Sequence, residues 1–336
     1  MRALQLLGYG DNSQLALNDV DRPEPAAGEV LIKVEYAGMN PVDFKTRDGV
    51  LKTILPYQLP QTMGQEVAGT VEACGPGVDR FGIGDRVFAR LAKERMGGFA
   101  DYVVSDARLL ARIPDNLESE VAAGVPLVAL TAWQCLHEYG RIGPGSKVLI
   151  HAGAGAVGRV AIQVAKNAGA QVATTVSERG EALARELGAD LLINYRTQRF
   201  EDAVSDYDFV LDTVAGDTLR RSYKVLRRGG KLCTISATPE ARTARDLGKG
   251  PVATGLYASL FALLSAPWTL RGLLAGVDYR FVFMRPDGEQ LSAIAKEAEA
   301  GRLRFDIGDV VPLDEYERGF DALENETAFG KLVLKI

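Results

Sequence analysis

The sequence contains few of the residues that hold metals through sulfur or imidazole. Its 336 residues include three cysteines and two histidines. The cysteines, Cys74, Cys135 and Cys233, lie far apart, so neither a zinc ribbon nor a Cys-x-x-Cys redox motif is present. This usage is typical of buried thiols in a reducing compartment, and we expect a cytoplasmic protein.

The sequence also has no excess of positive charge, and we expect no secretory signal. The net charge of −5 argues against nucleic acid as a partner, because nucleic-acid binding usually needs a basic face. The apolar run in the N-terminal "MRALQLLGYGD" is too short for a secretory signal, and we expect it to be a first strand. The length is enough for two domains or one large domain.

No uninterrupted apolar segment reaches the roughly 20 residues that a membrane-spanning helix needs. Residues 252–277 come nearest, but Pro267 and Arg271 interrupt them. We expect a helix here, either continuous or broken at Pro267, that lies over a pocket or at an interface. Peripheral contact with a membrane is the alternative.

The first 110 residues alternate between short apolar runs and turn residues, which predicts a small β-barrel or folded sheet. Long amphipathic helices are not evident in this part. The predicted strands are "EVLIKVEYAG" (29–38), "EVAGTVEACG" (66–75) and "GDRVFARL" (84–91).

After about residue 118 the pattern changes to alternating strands and helices, beginning with a predicted helix over 119–140. Such alternation predicts right-handed βαβ units and a doubly wound parallel sheet. After residue 300 the chain becomes β-like again, which suggests a return to the first domain. We therefore predict one domain from 1–118 and 301–336, and a second from 119–300. The predicted parallel strands include 147–152, 171–176, 191–195, 209–212 and 230–236.

The strongest single motif is G-x-G-x-x-G, formed by Gly153, Gly155 and Gly158. It follows a predicted buried strand and opens a predicted helix, which is the context that dinucleotide binding requires. Gly153 suits the tight turn, Gly155 the close approach of the pyrophosphate and Gly158 the packing of helix on strand. The helix N-terminus, with Ala156 and Val157, offers N–H groups to the phosphates.

The end of the next predicted strand bears on the choice of dinucleotide. Ser177 stands where NAD-binding proteins usually have an acidic residue, and Arg179 follows closely, which favours the 2′-phosphate of NADPH. Glu178 complicates this, because an inward-facing carboxylate would serve NAD. Tyr195 either donates to the same phosphate or is a half-buried aromatic residue. We also expect Thr131 and Val214 to contact the cofactor.

Seven motifs together resemble the medium-chain dehydrogenase/reductase superfamily, over nearly the whole chain. "NPVDFK" and "INY" look particularly like its zinc-free quinone oxidoreductase and enone (alkenal) reductase branch. The resemblance implies a GroES-like β-barrel domain, a Rossmann domain and a homodimer. The motifs are "AGMNPVDFK" (37–45), "MGQEVAGTV" (63–71), "GDRVFA" (84–89), "GGFADYVV" (97–104), "LTAW" (130–133), the glycine motif and "GKLVL" (330–334).

The zinc ligands of the superfamily's alcohol dehydrogenases are replaced here. Asn40 occupies the position of their cysteine ligand and Gln65 that of their histidine ligand. Leu127 is nearest to the position of their third ligand. Amides are poor zinc ligands, so we expect no metal. Glu66, next to Gln65, is expected to accept buried N–H or arginine hydrogen bonds, and both histidines are expected to be structural.

Without a Lewis acid, the expected reaction is hydride transfer from NADPH to a quinone or to the β-carbon of an enone. By resemblance, Lys45 holds the nicotinamide ribose or stabilises an oxyanion, unless it is a solvated surface lysine. Asn40 bonds the substrate oxygen or the nicotinamide edge, or caps a turn. Tyr57 is a candidate proton donor, with water as the alternative.

Three further residues are candidates for the substrate pocket. Gln65 is expected to line it as a neutral hydrogen-bonding wall, and Phe281 and Phe283 as apolar walls, unless the two aromatic rings belong to the core. A non-catalytic NADPH-binding protein with a structural or sensing role is the alternative function. A zinc-type alcohol dehydrogenase is the third reading.

Overall fold

The computed structural model describes all 336 residues and divides into two compact units. The first comprises Met1–Leu130 and Pro286–Ile336, and the second comprises Thr131–Arg285. The sequence pattern predicts boundaries after residues 118 and 300, whereas the structure groups 119–130 and 286–300 with the first unit.

The chain up to Trp133 forms eight strands and three α-helices. The strands are β1 (Arg2–Leu6), β2 (Leu15–Asp19), β3 (Glu29–Met39), β4 (Gln61–Thr62), β5 (Glu66–Cys74), β6 (Arg86–Arg90), β7 (Tyr102–Asp106) and β8 (Leu110–Arg112). The helices are α1 (Pro41–Arg47), α2 (Ser119–Ala122) and α3 (Pro126–Trp133).

The second unit alternates strands with helices, as the sequence predicts. Its strands are β9 (Lys147–Ile150), β10 (Gln171–Val176), β11 (Leu191–Asn194), β12 (Tyr207–Asp212), β13 (Leu226–Thr234) and β14 (Asp278–Phe281). Its helices are α4 (Ala156–Asn167), α5 (Glu178–Glu186), α6 (Phe200–Ala203), α7 (Gly216–Ser222) and α8 (Pro251–Ala275).

The remaining chain returns to the first unit, as predicted, with α9 (Gly288–Glu299), β15 (Asp309–Pro312), α10 (Tyr316–Glu324) and β16 (Leu332–Lys335). Strand β16 pairs antiparallel with β3, matching Leu332 to Met39. Helix α9 packs against β8 so closely that Gly288 leaves no room for a Cβ beside the backbone of Arg108 and Leu110. This contact explains why residues 286–300 belong to the first unit.

Two sheets enclose the core of the first unit. The larger has the order β15-β16-β3-β5-β6-β8, with β7 also paired to β3, and the smaller has the order β2-β1-β4. Large apolar side chains such as Ile32, Val87, Phe99 and Phe320 are buried together between them. This is the β-barrel-like domain that the alternating runs predict.

The second unit contains a six-stranded sheet with the order β11-β10-β9-β12-β13-β14, in which all neighbouring pairs are parallel. The order reverses between β9 and β12, and in such sheets ligands bind at the carboxyl ends of the strands beside this switch point. The glycine motif follows β9 directly. The Rossmann prediction is confirmed.

The single helix predicted over 119–140 is interrupted in the structure. Helix α2 ends at Ala122, Pro126 begins α3, and a π-helical segment covers Gln134–Gly140. Proline is favoured at the first turn of a helix and disfavoured inside one, which explains the restart. Pro267, by contrast, lies within α8, which continues through it.

Candidate active site

The glycine motif forms the turn between β9 and α4 in the second unit. A Cβ on Gly153 would overlap Thr174 Oγ1 of β10, and one on Gly158 would overlap Ala152 O. We expected Gly153 to form the tight turn, but the residue with a left-handed conformation in this turn is Ala152 (φ 53°). Gly153 is therefore needed for close strand packing, and Gly158 for close packing of helix on turn.

The N-terminus of α4 presents open donors beside this turn. Gly155 is the N-cap and supplies no side-chain hydrogen bond, and the first intrahelical donor is the N–H of Arg159. The amides of Ala156, Val157 and Gly158 precede it and have no partner within the helix. Such donors at the positive end of a helix suit a pyrophosphate.

A second group of polar side chains follows β10 and β11. Val176 and Asn194 are paired in register, so Ser177 and Tyr195 leave the sheet side by side. Ser177 is the N-cap of α5 but makes no capping hydrogen bond. Tyr195 is 56% exposed, and the guanidinium of Arg196 lies 6.0 Å from its ring centre.

Arg196 was missed by the sequence reasoning, although a basic residue just after a strand of this sheet was a usable signal. It is exposed and its guanidinium makes no hydrogen bond to the protein. Together with Ser177 and Tyr195, it forms an open set of donors suited to a phosphate monoester. Arg179, which we also predicted for this phosphate, lies exposed on α5. Glu178, also exposed, begins α5 between Ser177 and Arg179.

The other predicted residues of the second unit lie in varied settings. Val214 is exposed in a turn that Asp212 orders, because the Asp212 carboxylate accepts the N–H groups of Val214 and Ala215. Burial raises the pKa of Asp212, and a hydrogen bond from Thr234 opposes the rise. Thr131 and Phe281 are buried, so for Phe281 the core reading fits the structure better, while Phe283 is half-buried.

His151 is fully buried behind the glycine turn. Ser222 Oγ donates to Thr218 O, so His151 Nε2 donates to Ser222 Oγ (3.0 Å), and Nδ1 accepts from Thr175 Oγ1 (3.1 Å). Burial lowers the pKa of His151 to about 3, with a further lowering from Arg221 and an opposing effect of Glu201. The structure thus places His151 in a structural network.

The first unit contains a buried polar cluster centred on Glu66. Glu66 Oε2 accepts the backbone N–H of Leu127 (2.6 Å), and Oε1 accepts Asn40 Nδ2 (2.8 Å). The Lys331 ammonium donates to Glu66 Oε1, Asn40 Oδ1 and Met39 O. The expected N–H partner of Glu66 is present, and its charged partner is a lysine rather than an arginine.

Gln65 points its side chain toward a buried arginine. Arg90 donates to both Gln65 O (3.0 Å) and Gln65 Oε1, and to Leu91 O (2.7 Å). Gln65 Nε2 and Arg90 Nε are buried without a hydrogen-bond partner. Gln65 therefore has its acceptor occupied by the protein, while its buried donor is left without a partner.

Asp43, in α1, is the second buried carboxyl group of this region. Its Oδ2 accepts the N–H of Asn40 (2.8 Å), while Oδ1 has no partner. Burial raises the pKa of Asp43 to about 7, against the lowering effect of the Asn40 hydrogen bond and of Lys331. The group can hold or release a proton near neutral pH.

These residues do not suit a catalytic zinc ion. The two amides at the expected ligand positions are engaged by Lys331 and Arg90, and Leu127 offers only its backbone. The Lys331 ammonium group donates hydrogen bonds to the oxygen atoms of Glu66 and Asn40 that would otherwise coordinate a metal cation. No cluster of three or more His, Cys, Asp or Glu side chains could hold a metal.

Lys45 and Tyr57, both predicted to be catalytic, differ in whether their polar groups are hydrogen-bonded to the protein. Lys45 is exposed on α1 and its ammonium makes no hydrogen bond or ion pair. Tyr57 donates its hydroxyl proton to Lys93 O (2.6 Å), and burial raises its pKa well above the ordinary value for tyrosine. This geometry favours a structural role for Tyr57, and leaves water as the expected proton source.

Comparisons with known proteins agree with this arrangement. The family description "Alcohol dehydrogenase GroES-like domain" matches residues 26–115, and "Zinc-binding dehydrogenase" matches residues 187–334. The mitochondrial NAD(P)H oxidoreductase RTN4IP1 of Mus musculus is 32% identical, covering 92% of this chain and 82% of the relative. A chloroplast envelope quinone oxidoreductase homolog of Arabidopsis thaliana is 30% identical, covering 100% and 98%.

Solved structures show the same fold over the full length. The quinone oxidoreductase from Coxiella burnetii superimposes with a TM-score of 0.86 at 29% identity, covering 100% of this chain and 99% of the other. A mycobacterial protein in complex with NADPH gives a TM-score of 0.81 at 30% identity, covering 100% of both chains.

The fold and the two sets of polar residues define an NAD(P)H-dependent oxidoreductase with a GroES-like and a Rossmann domain. The chain belongs to the medium-chain dehydrogenase/reductase superfamily and, within it, to the zinc-free quinone oxidoreductase branch.

Proposed function

We propose that the protein reduces quinones or α,β-unsaturated carbonyl compounds with NADPH and without zinc. The observation that carries this proposal is the buried cluster of Lys331, Glu66 and Asn40, in which an ammonium group bonds the oxygen atoms that a cation would need. An acceptor that is already electron-poor does not depend on polarisation by a metal ion.

Bound NADPH supplies the hydride ion, and the protein binds and orients the reactants. The open amides of α4 would hold the pyrophosphate, and Ser177, Tyr195 and Arg196 would hold the 2′-phosphate. Lys45 has a free ammonium group for a ribose hydroxyl or an oxyanion. These donors support NADPH over NADH.

Gln65 is the donor that we assign to the substrate oxygen. Its Nε2 is buried without a partner, while its Oε1 is fixed by Arg90. A neutral donor fixed in this way can stabilise an enolate or a hydroquinone anion as charge develops on the oxygen. A proton from water then completes the reduction.

Steady-state oxidation of NADPH with a panel of quinones, enals and enones tests the reaction. We expect turnover with members of this panel and no loss of activity on treatment with a chelator. Absence of turnover with every acceptor, despite tight NADPH binding, would instead support a non-catalytic NADPH-binding protein. Stoichiometric zinc that is lost together with activity on chelation would support the alcohol dehydrogenase reading.

Gln65→Glu tests the assigned donor, because it keeps the acceptor for Arg90 and removes the Nε2 hydrogens. We expect kcat/KM for the acceptor to fall about 10- to 100-fold and the NADPH dissociation constant to stay unchanged. Equal activity of the variant and the wild type would refute the assignment.

Arg196→Ala tests the cofactor preference. We expect NADPH binding to weaken about 10-fold or more, since a charge-assisted hydrogen bond is lost, with NADH binding unchanged. Arg199→Ala is the matched control, because Arg199 is exposed three residues later and pairs with Glu201. Equal losses for both cofactors would refute the assignment of Arg196.

A further inference from the structure

Helix α8 exposes an unusual amount of apolar surface. Eight of the chain's fourteen exposed large hydrophobic residues lie on it, with exposed fractions from 41% to 79%. Soluble proteins usually scatter such residues singly, and larger patches mark interaction sites. The eight are Val252, Leu256, Leu260, Leu263, Leu264, Leu270, Leu273 and Leu274.

The exposed residues lie mainly along one side of the helix. Val252, Leu256, Leu263, Leu270 and Leu274 follow spacings of four and seven residues, which place them on one face of a helix. The opposite face carries the buried residues Phe261, Ser265 and Gly272. The pattern is the reverse of an ordinary surface helix, whose apolar side faces the core.

The inner face is fastened to the second unit. Tyr223 donates its hydroxyl to Trp268 O (2.8 Å), and a Cβ on Gly272 would approach Val277 O to 2.7 Å. Gly276 caps the helix in the left-handed conformation, and β14 begins two residues later. Although α8 is long and apolar enough to cross a membrane, these attachments require it to lie flat on the surface of its unit.

Positive charges without partners accompany the apolar face. Residues 247–277 contain Lys249 and Arg271 and no acidic residue. Arg245 precedes the helix, and Arg228 lies against Gly276 at the other end of α8. None of these four side chains forms an ion pair, whereas the nearby carboxylates do: Glu240 with Arg242 and Arg280, Asp246 with Arg280, and Asp278 with Arg242.

We propose that α8 docks in the interfacial region of a lipid bilayer that contains anionic lipids. The leucine-rich face would enter the boundary between head groups and acyl chains, with the four cations on lipid phosphates. A second copy fits less well, because a two-fold antiparallel pairing of α8 brings Lys249 of one copy toward Arg271 of the other with no acidic residue to match.

Vesicle flotation tests the proposal independently of enzymatic activity. We expect the wild-type protein to float with vesicles of phosphatidylcholine mixed with phosphatidylglycerol, and more weakly with phosphatidylcholine alone. The combined variant Leu256→Gln, Leu263→Gln and Leu270→Gln should bind roughly 10-fold more weakly or worse. Ile83→Gln is the matched control, since Ile83 is 78% exposed in the first unit.

A second variant tests the charges and leaves the apolar face intact. Lys249→Gln with Arg271→Gln should weaken binding to the mixed vesicles about fivefold per charge, and change binding to the neutral vesicles little. Thermal unfolding and NADPH binding, measured for each variant, confirm that it is folded.

Three outcomes would overturn the proposal. The first is a wild-type protein that floats with neither kind of vesicle. The second is a triple variant that floats as strongly as the wild type does. The third is a wild-type dimer that does not float and that the triple variant converts to a monomer in light scattering, which would make α8 an interface between copies.

Discussion

Lys331 and Glu66, which are 265 residues apart in sequence, form a buried ion pair that also includes the side chain of Asn40. Both side chains are almost fully excluded from solvent. A charge buried in this way is tolerated only while its partner remains, because an unpaired ion loses its hydration without compensation.

Lys331→Met is expected to destabilise the protein by about 3–5 kcal/mol, since Glu66 keeps a buried charge and loses the cation paired with it. Chemical unfolding measures the loss. Adding Glu66→Gln should restore part of the stability, because no unpaired ion is left. Lys335→Met, at an exposed position of β16, is the control; a loss as large there would mean that the ion pair is not the cause.

Gly158→Ala is expected to weaken NADPH binding by at least about 10-fold and to cost about 1–3 kcal/mol of stability. The added methyl group would overlap Ala152 O and lie 2.8 Å from Gly153 Cα, which forces the turn away from α4. Fluorescence titration with NADPH measures the binding. Gly143→Ala has open space around its Cβ and should behave as the wild type.

Asp43→Asn is expected to stabilise the protein more at about pH 8 than at about pH 5. Burial raises the pKa of Asp43 to about 7, above the ordinary value near 4. The contribution of the Asp43 carboxyl group to the free energy of unfolding is therefore fully present below about pH 4. It declines as the pH rises to about 7, by up to about 4 kcal/mol. Thermal unfolding at the two pH values measures this difference. Asp19→Asn, at an exposed position, is the control. An increase in stability on Asp43→Asn that is equal at both pH values would contradict the assignment.

His151 should have the opposite effect on acid stability. Its pKa falls to about 3 on burial, so its contribution is complete above about pH 6.5 and is lost as the pH falls toward 3. We expect about 2 kcal/mol of this loss between pH 6.5 and 5. His151→Gln should flatten that part of the stability profile in urea unfolding, and a slope equal to that of the wild type would contradict this assignment.

The sequence predicted those elements whose signals are local. The glycine motif and β10 follow from a few adjacent residues, and β10 spans the predicted residues 171–176. The interruption between α2 and α3 was missed, because the helical pattern of residues 119–140 outweighed the information in Pro126.

The cluster around Glu66 could be predicted only in part. The replacement of zinc ligands by Asn40 and Gln65 was visible in the sequence, but Lys331 and Arg90 come from distant strands, and no local pattern connects them with Glu66 or Gln65. The preference for a structural role of Tyr57 rests on its hydrogen bond to Lys93 O, which sequence spacing cannot show.

The pairing of β16 with β3 also determines when, during synthesis, the first unit can finish folding. Lys331 bonds to Met39 O across 292 residues, and β16 covers the part of β3 from Tyr36 to Met39. A ribosome that adds about 5–20 residues per second needs on the order of 15–60 s to span that distance. Throughout this interval the nascent chain carries an unpaired strand edge and an incomplete charge cluster, so the first unit can complete its sheet only after its last strand has been made.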